Sequence, residues 1–313
     1  GPSFRTDYEE LIRLRDIFPA VTIAALTATA DKSTQDDIVN KLFGGEGRVL
    51  VSGFDRPNIY LGVATRTDAK QQLLDAVKEH PGQSGIVYCL SRAKTEKMAA
   101  FLVKNGYNAV AYHAGMPSDL RIQNQTSFMT DTRGMIVVAT IAFGMGIDKP
   151  DVRFVVHMDM PGNIETYYQE IGRAGRDGKP AVANMIYGLD DLRMRRSFIE
   201  QDGSDLSHKR REHKRLDALI SYCESSECRR GALLGYFNAH KQTLIGCGNC
   251  DICLSPPLML DGTQAAKRIL DLIVDTGQIF GQAHIIDVLR GANTEKVRKF
   301  RHDQLKLYGI GRD

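Results

Sequence analysis

Between residues 69 and 187, short apolar runs alternate with stretches of helical period. The runs fall at 85–89, 109–112, 135–139, 154–158 and 183–187, and the helical stretches at 69–78, 95–105, 118–129 and 164–174. Two parallel strands need a long crossover between them, and a helix is the usual one. The runs are apolar at nearly every position, so both faces of the sheet are covered. The expected fold is α/β: a parallel sheet with helices on both faces. In such sheets function collects at the carboxyl ends of the strands.

The polar motifs obey that rule. Ser91 and Arg92 follow the run ending at Cys89, His113 follows Tyr112, and Thr140 opens TIAFGMGID at 140–148. Each could be an ordinary strand-to-helix turn, where Ser, Thr, Asp and Gly act as caps. A lone His113 reads equally as a hydrogen-bonded structural residue. Their grouping on one sheet edge favours a shared function. The stretch TYYQEIGRAGRDG at 166–178 reaches the same edge. As a helix it places Gln169, Arg173 and Arg176 on one face. Gly172 and Gly175 beside them weaken a helix by about 1 kcal/mol each relative to Ala. They point to a close approach to the backbone, and the two guanidiniums to a phosphate. The plain alternative is a surface helix with a Glu170–Arg173 pair.

Six cysteines occur, at 89, 223, 228, 247, 250 and 253. The spacing C-x18-C-x2-C-x2-C from Cys228 through Cys247, Cys250 and Cys253 suits tetrahedral zinc. An iron–sulfur cluster is the rival, but no fourth cysteine follows Cys253 as that pattern requires. Cys228 is preferred to Cys223 as the upstream ligand because it precedes an expected helix at 229–237. Cys89 and Cys223 read as core thiols.

The rest of the chain frames these features. Residues 8–18 and 31–42 read as helices, and 21–26 and 48–52 as strands. A lone β-α-β edge is not a stable domain, so a preceding segment is expected. Residues 54–58, FDRPN, read as a linker. Residues 189–224 read as helical and carry a basic cluster with acidic residues interspersed, either a solvated face or a DNA track. Residues 263–274 and 281–289 read as helices, and 291–306 as polar and basic. At 313 residues with 42% hydrophobic content, the chain can bury more than one core. A net charge of +3 neither requires nor excludes nucleic acid. No run of 18 apolar residues spans a membrane, and no membrane partner is expected.

Together these stretches resemble the RecQ-type superfamily 2 DNA helicases. The resemblance rests on ALTATA at 25–30, SGFDRPNI at 52–59, IVYCLSR at 86–92, AYHAGM at 111–116 and VATIAFGMGIDKPDVR at 138–153. It continues through YYQEIGRAGRDG at 167–178, CRR at 228–230 with CGNCDIC, and HDQLKLYGIGRD at 302–313. It implies the end of a first RecA-like lobe at 1–52 and a second lobe at 53–200. A helical zinc-binding domain at 201–258 and part of a winged helix at 259–313 complete the division. Arg176 resembles the arginine finger and Arg173 a second phosphate contact. Gly146, Asp148 and Gln169 resemble nucleotide-site residues, and Ser91, Arg92, His113 and Thr140 contacts to a tracked DNA strand. Structural Zn²⁺, with ATP and Mg²⁺ in the complete protein, are the implied cofactors. The implied partners are DNA, both single strands and duplex junctions, and a first lobe. The implied location is intracellular and with DNA, bacterial cytoplasm or nucleoid ahead of nucleus. The sequence departs from the family in lacking G-x-x-x-x-G-K-(S/T) and the acidic Mg²⁺ motif, which are expected upstream. Arg301 also stands where the family has a small, glycine-type residue. Turnover is therefore not expected of this chain alone. A non-catalytic nucleic-acid-binding module with structural zinc is the alternative.

Overall fold

A computed structural model describes residues 10–27, 32–50, 53–144, 147–237 and 246–312. The chain divides into two compact units, one up to Pro256 and one from Pro257.

The first unit is built on one sheet of six strands: β1 (Ile59–Thr65), β2 (Ser84–Tyr88), β3 (Ala109–Tyr112), β4 (Ile136–Ala139), β5 (Val152–His157) and β6 (Ala181–Tyr187). Their order is β1-β6-β5-β2-β4-β3, and every pair is parallel. Alternate residues feed two cores, as the period of two demands. Ile86, Tyr88, Val137 and Ala139 face one core, while Val87, Cys89, Ile136 and Val138 face the other. Gly85 is forced by this packing, since a Cβ there would lie 2.0 Å from the Phe154 ring.

The helices begin where the sequence supplies caps. In α1 (Lys32–Phe43) the cap lies outside the described residues. Asp68 caps α2 (Ala69–Lys78) through the Lys70 and Gln71 N–H groups, and Ser91 caps α3 (Arg92–Lys104) through Lys94. After α4 (Ser118–Thr130), Asn163 caps α5 (Ile164–Ile171). Next come α6 (Leu189–Gln201) and α7 (Leu206–Glu224), then α8 (Arg229–Tyr236) and the short α9 (Asp251–Leu254).

Two expectations need correction near the beginning. Described residues 21–27 and 46–50 form no strand, and of the helix expected at 8–18 the described residues show a 3-10 turn at Leu11–Arg13 and a helical turn at Leu14–Ile17. Leu26 is 95% and Leu50 78% exposed. A strand exists only against a partner, and no described strand lies beside these segments. Conversely, β1 went unread in the sequence.

The second unit contains α10 (Thr263–Asp275), α11 (Gln282–Leu289), α12 (Glu295–Lys299) and a 3-10 turn at His302–Gln304. Leu272, Ile285, Val288 and Val297 form its small core. Arg301 adopts φ 56° and ψ 29°, the left-handed region. That conformation is costly for a residue with a Cβ, so Arg301→Gly should stabilise this unit by about 0.5–1 kcal/mol, read as a higher melting temperature. No described helix is long and apolar enough to cross a membrane.

Candidate functional site

The 166–178 stretch is not one helix. α5 ends at Ile171, with Gly172 as its C-cap, and 172–178 are turns. Arg173 and Arg176 therefore leave the helical face that Gln169 occupies. Gly175 has φ +56°, and a Cβ there would lie 2.5 Å from Asn58 Nδ2 and 2.9 Å from Lys179 O. The close approach expected of a phosphate is made by the chain's own Asn58. Glu170 is buried and pairs with His157 at 2.8 Å, so the alternative of a surface Glu170–Arg173 pair gives way to a buried one. That pairing follows from placement, because β5 and α5 both close over the same core.

What the turn does is bring the arginines to the 140–148 loop. Arg176 Nη1 donates to Ile147 O at 2.9 Å and to the Asp148 carboxylate. Asp148 is 83% exposed and Arg176 34%. Arg173 lies against Gly144, where a Cβ would meet Arg173 Nη2 at 3.2 Å. Arg173 Nε is buried with no hydrogen-bond partner among the described residues. Tyr88 donates to Phe143 O at 3.1 Å and fixes the same loop. Burial, with the Glu170 charge adding to it, pushes the Tyr88 hydroxyl above its ordinary range, while Arg173 opposes the shift. Gln169 is exposed, and Gly146 lies outside the described residues. Thus Asp148, Arg173 and Arg176 are brought together, though not by a helix.

The other edge residues divide by exposure. Ser91 is spent on its cap, at 3.2 Å from Lys94 N. Arg92 is exposed and lies over Gly115, whose Cβ would meet Arg92 Nη1 at 2.9 Å. His113 is buried, and its Nε2 faces Glu96 Oε1 at 3.0 Å. Thr140 is buried at the mouth of β4 and donates its N–H to Tyr112 O at 3.2 Å.

Beneath this edge is a charged network that sequence reasoning missed. Asp159 accepts from Leu90 N at 2.9 Å and from Lys94 Nζ at 2.6 Å. Arg66 bridges Asp159 at 3.4 Å and Asp191 at 2.6 Å. A carboxylate between Met158 and Met160, just past a buried strand, was the available signal. Buried carboxylates are held by such partners.

The four cysteines expected as ligands converge. The sulfurs of Cys228, Cys247, Cys250 and Cys253 all lie within 4.8 Å of one another. Cys247 and Cys253 sulfurs are 3.9 Å apart. A tetrahedron of ~2.3 Å Zn–S bonds has edges of ~3.8 Å, so the donor set fits zinc. Backbone N–H groups point at each sulfur: Gly231 at Cys228, Asn249 at Cys247, Cys253 at Cys250 and Cys247 at Cys253, between 3.2 and 3.5 Å. Such donors favour thiolates. Burial outweighs them at Cys228 and Cys250, whose thiols are pushed up, Cys250 to about 12, whereas the Cys253 thiol is held down at about 7. Cys89 and Cys223 stay in the core, where burial pushes both thiols up to about 12.

The module is fastened to β1, the edge strand. Leu61 bridges Cys250, Leu61 N donates to Asn249 O, and Val63 N donates to Asp251 Oδ2 at 3.1 Å. Arg229 holds Asp251 Oδ1 at 3.0 Å. The sheet's exposed edge is thereby covered.

Comparison with known families gives three matches. The helicase conserved C-terminal domain matches residues 68–178, the RecQ zinc-binding family 189–254 and the RQC domain 256–313. The chain belongs to the RecQ helicase family. It is 44% identical over its whole length to ATP-dependent DNA helicase RecQ of Pasteurella multocida, covering 49% of that protein. The RecQ helicase of Haemophilus influenzae gives 44% and 50%. The RecQ-like DNA helicase BLM of Xenopus laevis is 40% identical over 80% of this chain, which spans 19% of that protein. The chain thus spans about half the length of its bacterial RecQ relatives. Its parallel sheet carries the match to the helicase conserved C-terminal domain, and its cysteine cluster lies at the RecQ zinc-binding match and fits structural zinc.

Proposed function

We propose that this RecQ chain is the carboxyl-side half of an ATP-dependent 3′ to 5′ DNA helicase that acts in repair and recombination. The observation that carries the reading is Arg176, exposed at the sheet edge beside Asp148, with Arg173 set into the same loop. Two guanidiniums on a glycine-shaped turn can stabilise the charge that spreads over a γ-phosphate during phosphoryl transfer. Residues 53–200 act as the second RecA-like lobe, and 1–52 complete the end of the first. Residues 201–258 form the zinc domain, and 259–313 part of a winged helix. The first lobe supplies the phosphate-cradling loop and Mg²⁺ site, and this chain supplies Arg176 and Arg173. Asp148, Gly146 and Gln169 attend the nucleotide.

Arg92 meets the phosphates of the tracked strand, with Thr140 setting the start of the loop that follows β4 and Ser91 contributing through the helix start it caps. His113 acts through Glu96, because its ring is buried. Phosphate contacts fix position without reading sequence. Single strands and duplex junctions are the substrates, and the work is done inside the cell on DNA, in a bacterial cytoplasm or nucleoid.

One observation favours a second reading, a non-catalytic nucleic-acid-binding module: the sequence has no phosphate-cradling loop. The two are separated by supplying that loop. The 313-residue chain alone should release phosphate from ATP only at background while binding single-stranded DNA with salt-sensitive affinity. Joined to a nucleotide-binding lobe of this family, it should gain DNA-stimulated turnover. A joined protein that binds ATP and DNA but never turns over supports the module instead.

A further inference from the structure

The FDRPN segment, which the sequence presents as a linker, is a strap across the arginine turn. We infer that Arg56 is a positioning residue for Arg176, and that Arg230, two residues from the zinc ligand Cys228, fixes Arg56 in turn. The inference rests on reading Arg176 as the residue that meets the nucleotide.

The Arg56 guanidinium is shared among three carbonyls of one turn. Nη1 donates to Gly172 O at 3.3 Å, and Nη2 donates to Ala174 O and Gly175 O at 2.9 Å each. Asn58 adds donations to Gly175 O and Lys179 O at 2.9 Å. These carbonyls lie at and beyond the end of α5, where no helical partner remains. On its other side the turn is tied to the start of β5. Gly175 N donates to Val152 O and Asp177 N to Pro150 O. Arg153 spans Asp177 Oδ1 at 2.6 Å and Pro180 O at 3.0 Å. Arg176 takes its direction from a turn clamped from both sides.

Arg56 is itself held from the zinc module. Arg230, at the start of α8, is 5% exposed. Its Nη1 donates to Arg56 O at 2.7 Å and to Asp55 Oδ1 at 2.9 Å, and its Nη2 to Ile59 O at 2.6 Å. Phe54 stacks on Phe237 at 4.9 Å, just past α8, and accepts the Tyr168 hydroxyl from α5 at 2.7 Å. The path from the cysteine cluster to the arginine turn is therefore two arginines long. A planar fork can serve several carbonyls at fixed angles, which an ammonium cannot reproduce.

Amide hydrogen exchange on the zinc-loaded 313-residue chain tests the positioning. Arg56→Ala and Arg230→Lys should each speed exchange at Gly175 and Asp177 by about tenfold or more, with β2 and β4 amides unchanged. Unchanged exchange at both positions overturns the inference. If Arg56→Ala also opens the sheet, Arg56→Lys decides by the same criterion. The second arm uses the chain joined to a nucleotide-binding lobe. Arg56→Ala should lower kcat by about tenfold with ATP KM within about twofold, and the Arg56→Ala/Arg176→Ala double variant should be no slower than Arg176→Ala. Fully additive losses overturn the positioning role. Unchanged turnover in Arg176→Ala would instead remove the nucleotide reading, while the exchange result still judges the strap.

Discussion

Arg176→Ala, in a polypeptide that also carries a nucleotide-binding lobe, should leave ATP affinity nearly intact and cut turnover by about 10³ or more. The asymmetry follows from geometry. Arg176 is partly exposed and in this structure is paired with Asp148 at the rim. Such a side chain contributes little to ground-state binding but can reach charge that develops only in the transition state. An interaction made only there lowers kcat and leaves the affinity alone. Arg176→Lys should recover little, because one ammonium cannot span two phosphate oxygens as the fork does. Steady-state phosphate release and equilibrium nucleotide binding, measured on the same preparation, decide it. Equal turnover in wild type and variant removes Arg176 from the mechanism.

Removal of the metal should have the other large effect. Elemental analysis should find one zinc per chain, and chelation should melt the region around 228–253. A structural zinc site contributes about 10–16 kcal/mol of apparent binding free energy, comparable to or larger than a typical domain's net stability of about 5–15 kcal/mol. The loss should spread beyond the cysteines. Cys250 is wholly buried and bridged to Leu61, and Asp251 holds both Val63 and Arg229. Without the metal, four converging thiols have no charge partner, and the cover over β1 comes away. Cys250→Ser should reproduce the effect, seen as lost zinc and faster amide exchange at Leu61 and Val63. An iron-containing, brown preparation would sink the zinc assignment.

Much of the core was legible because its causes are local. Apolar runs spaced by helical stretches dictated the parallel sheet. The cap at Asp68 and the spacing of the last three cysteines are similarly short-range. β1 was missed although IYLGVAT at 59–65 is as apolar as the runs read as strands. It is a strand because β6 pairs with it along its length. The helical reading of 166–178 failed past Ile171 for a related reason. Three carbonyls that could have continued the helix are taken by Arg56, more than 110 residues earlier in the chain.

The sequence by itself determined the layered α/β lobe, the zinc ligand set and the gathering of polar motifs at one sheet edge. Periodicity and ligand spacing are written over a few residues, where backbone geometry alone can enforce them. Only the tertiary structure decided what each edge residue does. It made Ser91 a cap, buried His113 against Glu96, and turned a linker into the strap that carries Arg230's hold to the arginine turn. Those assignments depend on hydrogen bonds between distant residues. No local pattern encodes such a bond, because its donor and acceptor meet only after the sheet has formed.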